Sequence, residues 1–370
     1  MRLVYLSPVP WTSFAQRPHK FVEWFHARSG GDVLWVDPYP TRLMVLEDLQ
    51  RWKAGGGSAT KQSANRVPAW ITILQPRSLP IEPLPGAGMI NRLLWKDVLQ
   101  GIDRFVAEGE CLLGIGKPSE LALQVLDRHA AVTSLYDAMD DFPAFYRGIS
   151  RGAMAHREAA IATRVNRILV SSSMLADRFT RCRTKLAVAR NACSADTLPP
   201  FNAVRRTLGR PVLGYVGTMG HWFDWRLLFA LAEVDPSLCI RLIGPAYVLP
   251  NEPVPANIEF LPACDHEAAI RAMQEFSVGL IPFKCTDLTA SVDPIKYYEY
   301  RALGLPVLSS RFGEMNLRDG HAGVFLVEKQ DDLANLLRTA MAYQCEREEI
   351  QEFRTANTWE ARFDASGILH

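Results

Sequence analysis

The chain has 370 residues, 48% hydrophobic and 22% charged, which is enough for two cored domains at about 100 to 200 residues each. No run approaches the roughly 20 apolar residues of a membrane-spanning helix, so an integral membrane protein is excluded. Residues 1–6 form an apolar stretch without the basic region and cleavage site of a secretory signal, and we expect a cytoplasmic protein. Seven cysteines, never spaced C-x-x-C, indicate buried thiols rather than a disulfide framework or a zinc site.

The net charge of +1 conceals an uneven distribution. Residues 1–190 carry 25 Lys and Arg against 17 Asp and Glu, a balance of +8, and residues 191–370 carry 16 against 23, a balance of −7. A basic half suits nucleic acid, an anionic membrane surface or a phosphorylated small molecule. Nucleic acid is disfavoured, because the basic residues are dispersed and no nucleic-acid-binding motif accompanies them.

Short apolar runs alternate with helical patterns along the whole chain, which is typical of βαβ units and parallel sheets. The predicted strands are residues 3–6, 33–36, 70–74, 111–115, 132–136, 168–171, 212–216, 240–243, 258–261, 278–282, 307–309 and 324–327. The predicted helices include residues 17–27, 119–128, 174–181, 225–233, 267–274 and 333–343. This order predicts an α/β protein with two doubly wound domains and a ligand site in the cleft between them, because such sheets bind ligands at the carboxyl ends of their strands.

The apolar periodicity lapses over residues 191–211, which we interpret as a linker between domains 1–190 and 212–355. The Gly- and Ser-rich residues 54–63 predict a flexible surface loop. Residues 91–107 predict one amphipathic helix, which either packs on its domain or lies on a membrane. The acidic Asp97 and Asp103 dilute its basic face and favour packing.

The strongest local motif is DPIKYYEYRALGLPVL, which begins at Asp293. Asp293 is the predicted N-cap of a helix of about ten residues, with Pro294 at its first position and Gly304 at its end. Lys296 and Glu299 are three residues apart and share a face near the helix N-terminus. A cation with free backbone N–H groups suits a diphosphate, and a carboxylate suits two ribose hydroxyls. The motif therefore predicts a nucleotide diphosphate site; a solvated surface ion pair is the alternative.

Two glycine turns follow predicted strands in the back half. Gly217, Thr218 and Gly220 follow the strand at residues 212–216, and Gly244 stands in the segment LIGP after another strand. Glycine lets a phosphate approach the backbone closely at a strand-to-helix turn. The alternative is that these glycines serve only the turns.

The ordered set of motifs resembles GT-B glycosyltransferases related to the family 4 group, including bacterial exopolysaccharide enzymes. The segments are GYVGTMGHWFDW, LIGP, LIPF and DPIKYYEYRALGLPVLSS, with SPVPWTSFAQRPHKF, LYDAMDDF, RILVSSSMLADRF and VARNACSAD in the front half, and they span nearly the whole chain. The resemblance implies a GT-B fold of two Rossmann-like domains facing across a cleft, and a last helix in residues 356–370 that crosses back to the front domain. It also implies a nucleotide diphosphate sugar as donor, with UDP or GDP as its nucleotide, no other cofactor and no metal.

The resemblance also implies roles for particular residues. Lys296 would contact the diphosphate and Glu299 the ribose, and the rest of the donor site would comprise Gly217, Thr218, Gly244 and Tyr298. Trp11, Arg17 and His19 would lie on the acceptor side, after the first strand. The alternatives for these three are packing and a solvated loop.

One position departs from the family pattern. Many retaining relatives carry a Glu eight residues before the ribose-binding Glu, and here that position is Ser291. The chain therefore looks closer to inverting variants, which need a base for the acceptor hydroxyl. Asp137, Asp140 and Asp141 follow a strand at its carboxyl end, and we favour Asp140. The alternative is that such residues cap a helix or face solvent.

These features predict a glycosyltransferase that transfers a sugar to a glycan or lipid-linked glycan acceptor in bacterial surface polysaccharide biosynthesis. It would work in the cytoplasm or peripherally on the anionic inner face of the cytoplasmic membrane. Two alternatives stay open, a sugar-nucleotide epimerase of the same fold and a catalytically silent GT-B partner protein. The first would need no acceptor, and the second would bind nucleotide without turnover.

Overall fold

The structure is a computed structural model that describes residues 1–13, 15–41, 67–84, 86–194, 197–199, 209–328 and 332–369. The predicted loop at residues 54–63 lies outside the described residues, as does much of the predicted linker. The chain divides into two compact units, one of Met1–Ala189 with Ser366–His370 and one of Arg190–Ala365.

The first unit is built on a seven-stranded parallel sheet with the order β3-β2-β1-β4-β5-β6-β7. Its strands are β1 (Arg2–Leu6), β2 (Val33–Val36), β3 (Ile71–Leu74), β4 (Cys111–Ile115), β5 (Thr133–Ala138), β6 (Arg167–Val170) and β7 (Leu186–Val188). Its helices are α1 (Arg17–Ser29), α2 (Ala87–Leu94), α3 (Lys96–Ala107), α4 (Glu120–Arg128), α5 (Gly148–Arg164) and α6 (Ser173–Arg178). Strands β2 and β4 are buried along their whole length, as expected for a parallel sheet covered on both faces.

The second unit is built on a six-stranded parallel sheet with the order β10-β9-β8-β11-β12-β13. Its strands are β8 (Val212–Val216), β9 (Cys239–Ile243), β10 (Ile258–Leu261), β11 (Val278–Ile281), β12 (Val307–Ser310) and β13 (Val324–Val327). Its helices are α7 (Trp225–Val234), α8 (His266–Met273), α9 (Ile295–Ala302), α10 (Leu333–Ala342), α11 (Arg347–Ala356) and α12 (Trp359–Asp364). The strand order reverses between β8 and β11, and such a switch point is where doubly wound sheets bind ligands.

The prediction of two doubly wound α/β sheets is confirmed, two local predictions are corrected and one strand is added. The helix predicted over residues 91–107 is two helices that meet at the buried Trp95. Strand β7 was not predicted. Helix α9 has Pro294 rather than Asp293 as its N-cap, because the Asp293 carboxylate binds other partners. Gly304 follows the helix with φ 71°, the left-handed conformation that suits glycine.

Only some of the cysteines are buried as the sequence predicts. None of the seven cysteines, all of which lie in the described ranges, forms a disulfide, but Cys264 and Cys285 are exposed, contrary to the expectation that they are buried. No helix in the described ranges is long and apolar enough to cross a membrane.

Candidate functional site

Two glycine turns meet at the carboxyl edge of the second sheet. The Gly217 N–H, just after β8, donates to the Ile243 carbonyl at the end of β9 at 2.9 Å. Gly244 has φ 134°, and a Cβ placed there would lie 2.3 Å from the Gly217 carbonyl oxygen. Only glycine fits this approach of one backbone to the other. Thr218 follows on the same turn, with its carbonyl accepting from the Tyr215 hydroxyl at 2.9 Å.

Helix α9 follows β11, the strand beside β8, so Lys296 and Glu299 stand at the same carboxyl edge of the second sheet. No side chain of a described residue caps its N-terminus. Lys296 Nζ donates to Glu299 Oε2 at 2.7 Å, and His266 Nε2 lies 2.8 Å from Glu299 Oε1. Glu299 is only 4% exposed. The alternative of a solvated surface pair therefore does not describe this contact, because its carboxylate is buried.

The charge state of Glu299 follows from these contacts. Burial by itself raises the pKa of the carboxyl, but Lys296 and His266 oppose burial and hold it at about 2. The carboxylate is thus ionised at any physiological pH, so His266 Nε2 must be the donor in their contact. A carboxylate has about four lone-pair positions and an ammonium has three N–H donors. Glu299 can therefore accept from two further hydroxyls, and Lys296 can donate to an anion.

His266 was missed by the sequence analysis. It is the first residue of α8 and follows β10 at the carboxyl edge of the same sheet. The expectation that ligands bind at strand carboxyl ends applies to it, but its contact with Glu299 depends on the order of the strands in the sheet, which the sequence alone does not give.

Tyr298, predicted in the donor site, has its hydroxyl engaged inside the fold. The hydroxyl donates to Asp293 Oδ2 at 3.0 Å and accepts from Arg318 Nη2 at 2.9 Å. Asp293 also accepts from the Asn191 backbone N–H at 2.7 Å and forms a close ion pair with Arg318. Burial raises the pKa of Asp293, and Arg318 opposes that rise. Tyr298 therefore fixes the chain just before α9.

Ser291 lies in the connection between β11 and α9. It is buried, and its hydroxyl has no hydrogen-bond partner within the part of the chain that the structure describes. This is the position at which many retaining enzymes of the family that the sequence resembles carry Glu. A buried hydroxyl without a partner is unusual in a folded protein.

In the first unit, Asp137 and Arg17 form a buried ion pair. Arg17 Nε donates to Asp137 Oδ1 at 2.9 Å and Arg17 Nη1 donates to the Ala189 carbonyl at 2.5 Å. Asp137 Oδ2 also accepts from the Tyr5 hydroxyl at 3.2 Å. Neither side chain of the pair is more than 1% exposed. The pair joins α1 to β5 and to the end of β7.

The other two aspartates differ from Asp137 and from each other. Asp141 forms a close ion pair with Arg178, which also binds Glu158 at 2.5 Å. Asp140 is half-buried, and none of the described residues hydrogen-bonds its carboxylate. Burial raises the pKa of Asp140 to about 7; Arg17 opposes this rise, and Asp137 and Asp141 add to it. Among the described contacts, Asp140 is thus the one of the three aspartates whose carboxylate is left open to a further hydrogen-bond donor.

Trp11 and His19 are packed together beneath the loop after β1. Their rings lie 5.1 Å apart, and both side chains are buried. His19 Nδ1 accepts from the Gln16 N–H at 3.3 Å, so Nε2 carries the proton and donates to the Trp11 carbonyl at 3.1 Å. Burial lowers the pKa of His19, in agreement with this neutral form. Trp11, Arg17 and His19 thus brace the loop through buried contacts.

In the ranges that the structure describes, no group of three or more His, Cys, Asp or Glu side chains is placed to hold a metal ion.

The fold is similar to those of solved structures that include trehalose-phosphate synthases and a trehalose-6-phosphate phosphatase domain. An Escherichia coli structure, "Trehalose-6-phosphate from E. coli bound with UDP-2-fluoro glucose", has a TM-score of 0.59 at 12% identity, covering 99% of this chain and 98% of that one. An alpha,alpha-trehalose-phosphate synthase (UDP-forming) from Burkholderia xenovorans, in complex with glucose-6-phosphate, has a TM-score of 0.60 at 10% identity with the same coverage. The N-terminal domain of Candida albicans trehalose-6-phosphate phosphatase has a TM-score of 0.57 at 8% identity, covering 98% and 94%.

Comparison with protein-family models gave no match, and neither did comparison with curated protein sequences. At these identities the structural likeness defines the fold, and the chain has the GT-B fold.

Proposed function

We propose that this chain is a glycosyltransferase that moves a sugar from a nucleotide diphosphate sugar to an acceptor hydroxyl. The observation that carries the proposal is the buried, ionised Glu299, held between Lys296 and His266 beside two glycine turns at the switch point of the second sheet. In this proposal Glu299 accepts from the two ribose hydroxyls. Lys296 and the uncapped start of α9 bind the diphosphate, and Gly217, Thr218 and Gly244 line its phosphate side.

The chemical step that we propose uses Asp140 as base. The acceptor oxygen attacks the anomeric carbon and its proton passes to the Asp140 carboxylate, while the bond from that carbon to the diphosphate oxygen breaks. The negative charge that develops on the leaving diphosphate is stabilised by Lys296 and the helix N-terminus. This is an inverting transfer, and the absence of a Glu at Ser291 supports it.

The donor and acceptor are proposed from two sources. The Escherichia coli neighbour binds UDP-2-fluoro glucose, which supports UDP over GDP as the nucleotide. The resemblance in sequence supports a glycan or lipid-linked glycan acceptor in surface polysaccharide biosynthesis, on the cytoplasmic side of the membrane. The Burkholderia xenovorans neighbour holds glucose-6-phosphate, which supports a sugar phosphate as the second candidate acceptor.

Calorimetric titration with UDP, GDP, ADP and TDP tests the donor site. We expect one diphosphate to bind the wild type, and Lys296→Ala or Glu299→Ala to weaken binding at least about tenfold, because a hydrogen bond to a charged group contributes about 1.5 to 3 kcal/mol. Arg338→Ala, an exposed cation on α10, is the matched control. Equal binding of the diphosphate by the wild type and all three variants, or no binding by any of these proteins, would contradict this assignment of the donor site.

Product analysis with the diphosphate sugar that binds separates the remaining alternatives. Transfer to a lipid-linked glycan supports the leading acceptor, and transfer to glucose-6-phosphate supports the second. Conversion of the donor sugar without any acceptor identifies an epimerase. Tight binding without turnover on any acceptor identifies a silent partner protein.

A further inference from the structure

The large apolar side chains of helix α2 (Ala87–Leu94) face away from the core of the first unit. The residues that it buries are the small Ala87 and the polar Asn91. Its large apolar side chains face outward, with Met89 79% exposed and Leu93 81% exposed. Ile90 is also exposed, at 51%. A surface helix ordinarily turns its apolar stripe toward the core, so this helix presents a face that fits an apolar environment outside the chain.

The segment before the helix extends the same apolar surface. The Asn91 side chain accepts from the Leu79 N–H at 2.9 Å and donates to the Leu79 carbonyl at 3.2 Å, which fixes this segment against α2. The Ala87 N–H donates to the Leu84 carbonyl at 3.2 Å. Both leucine side chains are exposed, as is Leu94 at the end of the helix. We call the six residues Leu79, Leu84, Met89, Ile90, Leu93 and Leu94 the outer apolar face.

Cations flank the outer apolar face. Arg77, Arg92 and Lys96 are exposed within or next to these segments, against one exposed acid, Asp97. Lys96 begins α3, which buries Val98, Leu99, Ile102 and Phe105. The half of the sequence that holds them has a balance of +8. Apolar side chains with flanking Lys and Arg are the composition of helices that lie in the interface of an anionic bilayer.

We propose that the outer apolar face docks on an anionic lipid bilayer, with Met89 and Leu93 entering the acyl boundary and Arg77, Arg92 and Lys96 binding the headgroups. This goes beyond the donor site and does not depend on it. A second copy of the chain fits less well, because a two-fold contact sets identical patches against each other and here brings the cations together. A negatively charged surface is complementary to that charge.

Vesicle flotation of the full chain tests the proposal. We expect flotation with phosphatidylcholine vesicles that contain phosphatidylglycerol, weakening as salt rises, and little with phosphatidylcholine alone. Met89→Ser with Leu93→Ser, and separately Arg77→Gln with Arg92→Gln, should each reduce the bound fraction about tenfold. Leu249→Ser, which removes an apolar side chain that is 62% exposed in the second unit, is the matched control and should float like the wild type.

The other outcomes overturn the proposal. They are no flotation of the wild type, equal flotation with neutral vesicles, or no effect of the Met89 and Leu93 substitutions. A wild-type dimer that these substitutions convert to monomer in light scattering would assign the face to a second copy instead. UDP titration of the same variants keeps this result separate from the donor site, because a change in vesicle binding with unchanged UDP affinity concerns the outer apolar face alone.

Discussion

No described residue hydrogen-bonds the carboxyl group of Asp140, and burial raises the pKa of this group to about 7. If its ionised form is the base, kcat rises with pH and levels off above about pH 7. Asp140→Asn keeps the shape and removes the base, and we expect kcat to fall by about 10² to 10⁴ with donor affinity unchanged. Steady-state kinetics across neutral pH and calorimetry of both proteins measure this. Undiminished turnover in the variant would exclude Asp140.

The same raised pKa predicts a cost in stability. Its folded value of about 7 lies above the ordinary 3.8, so the folded state holds this proton more tightly than the unfolded state. The protonated Asp140 carboxyl therefore stabilises the folded state fully below about pH 3.8, and this stabilisation is lost as the pH rises through about 7. Asp140→Asn should therefore raise the Tm at pH 8, with a smaller gain at pH 5.5. Thermal unfolding at the two pH values checks it, with the exposed Asp177→Asn as control; a gain that does not depend on pH would contradict it.

His266 acts in the proposed site through Glu299 rather than on the substrate. His266→Ala removes a donor to a buried carboxylate, and we expect UDP affinity to fall about three- to tenfold. His266→Gln supplies an amide N–H and should recover most of that loss. Calorimetry of both variants, with His321→Ala as an exposed control, measures it. Equal weakening by Ala and Gln would show that the histidine serves only the fold.

At the scale of elements, the strands were predictable because parallel strands buried on both faces appear as continuous apolar runs between turns. Strand β7 (Leu186–Val188) escaped because it has three residues and is only partly buried. The cap of α9 was predicted wrongly for another reason. Asp293 is a good N-cap by type, but Arg318 and Asn191, both far away in sequence, occupy its carboxylate.

The contact between the two glycine turns gives a prediction of its own. Gly244→Ala would place a Cβ 2.3 Å from the Gly217 carbonyl oxygen and strain a backbone with φ 134°. We expect a loss of about 1 to 3 kcal/mol in the free energy of unfolding and weaker UDP binding. Gly320→Ala is the control, because its φ is 74° but nothing lies within 4 Å of the added Cβ. Equal losses in the two variants would assign the effect to φ alone.

At the scale of the whole molecule, the contacts of the site that could be predicted are those between residues close together in the sequence. Lys296 and Glu299 are three residues apart on one helix, so local spacing was enough to bring them together. His266 lies 33 residues from Glu299, and only the order of the strands brings it there. Arg17 and Trp11 show the opposite case. Their residue types suggest recognition, but their burial is set by distant partners that a single sequence does not reveal.

The division into two units predicts that UDP changes hydrogen exchange in one unit and not in the other. UDP that binds as proposed stabilises the second unit by mass action, since it binds the folded state there. Local opening of a ligand site is suppressed when the site is occupied. With saturating UDP, hydrogen exchange should therefore slow in peptides spanning residues 212–220, 240–247, 262–270 and 293–303. Exchange in residues 1–189 should not change. Lys296→Ala should abolish the protection at the same UDP concentration, and Arg338→Ala should keep it. Protection confined to residues 1–189 would place the nucleotide on the first unit and reverse the assignment of donor and acceptor.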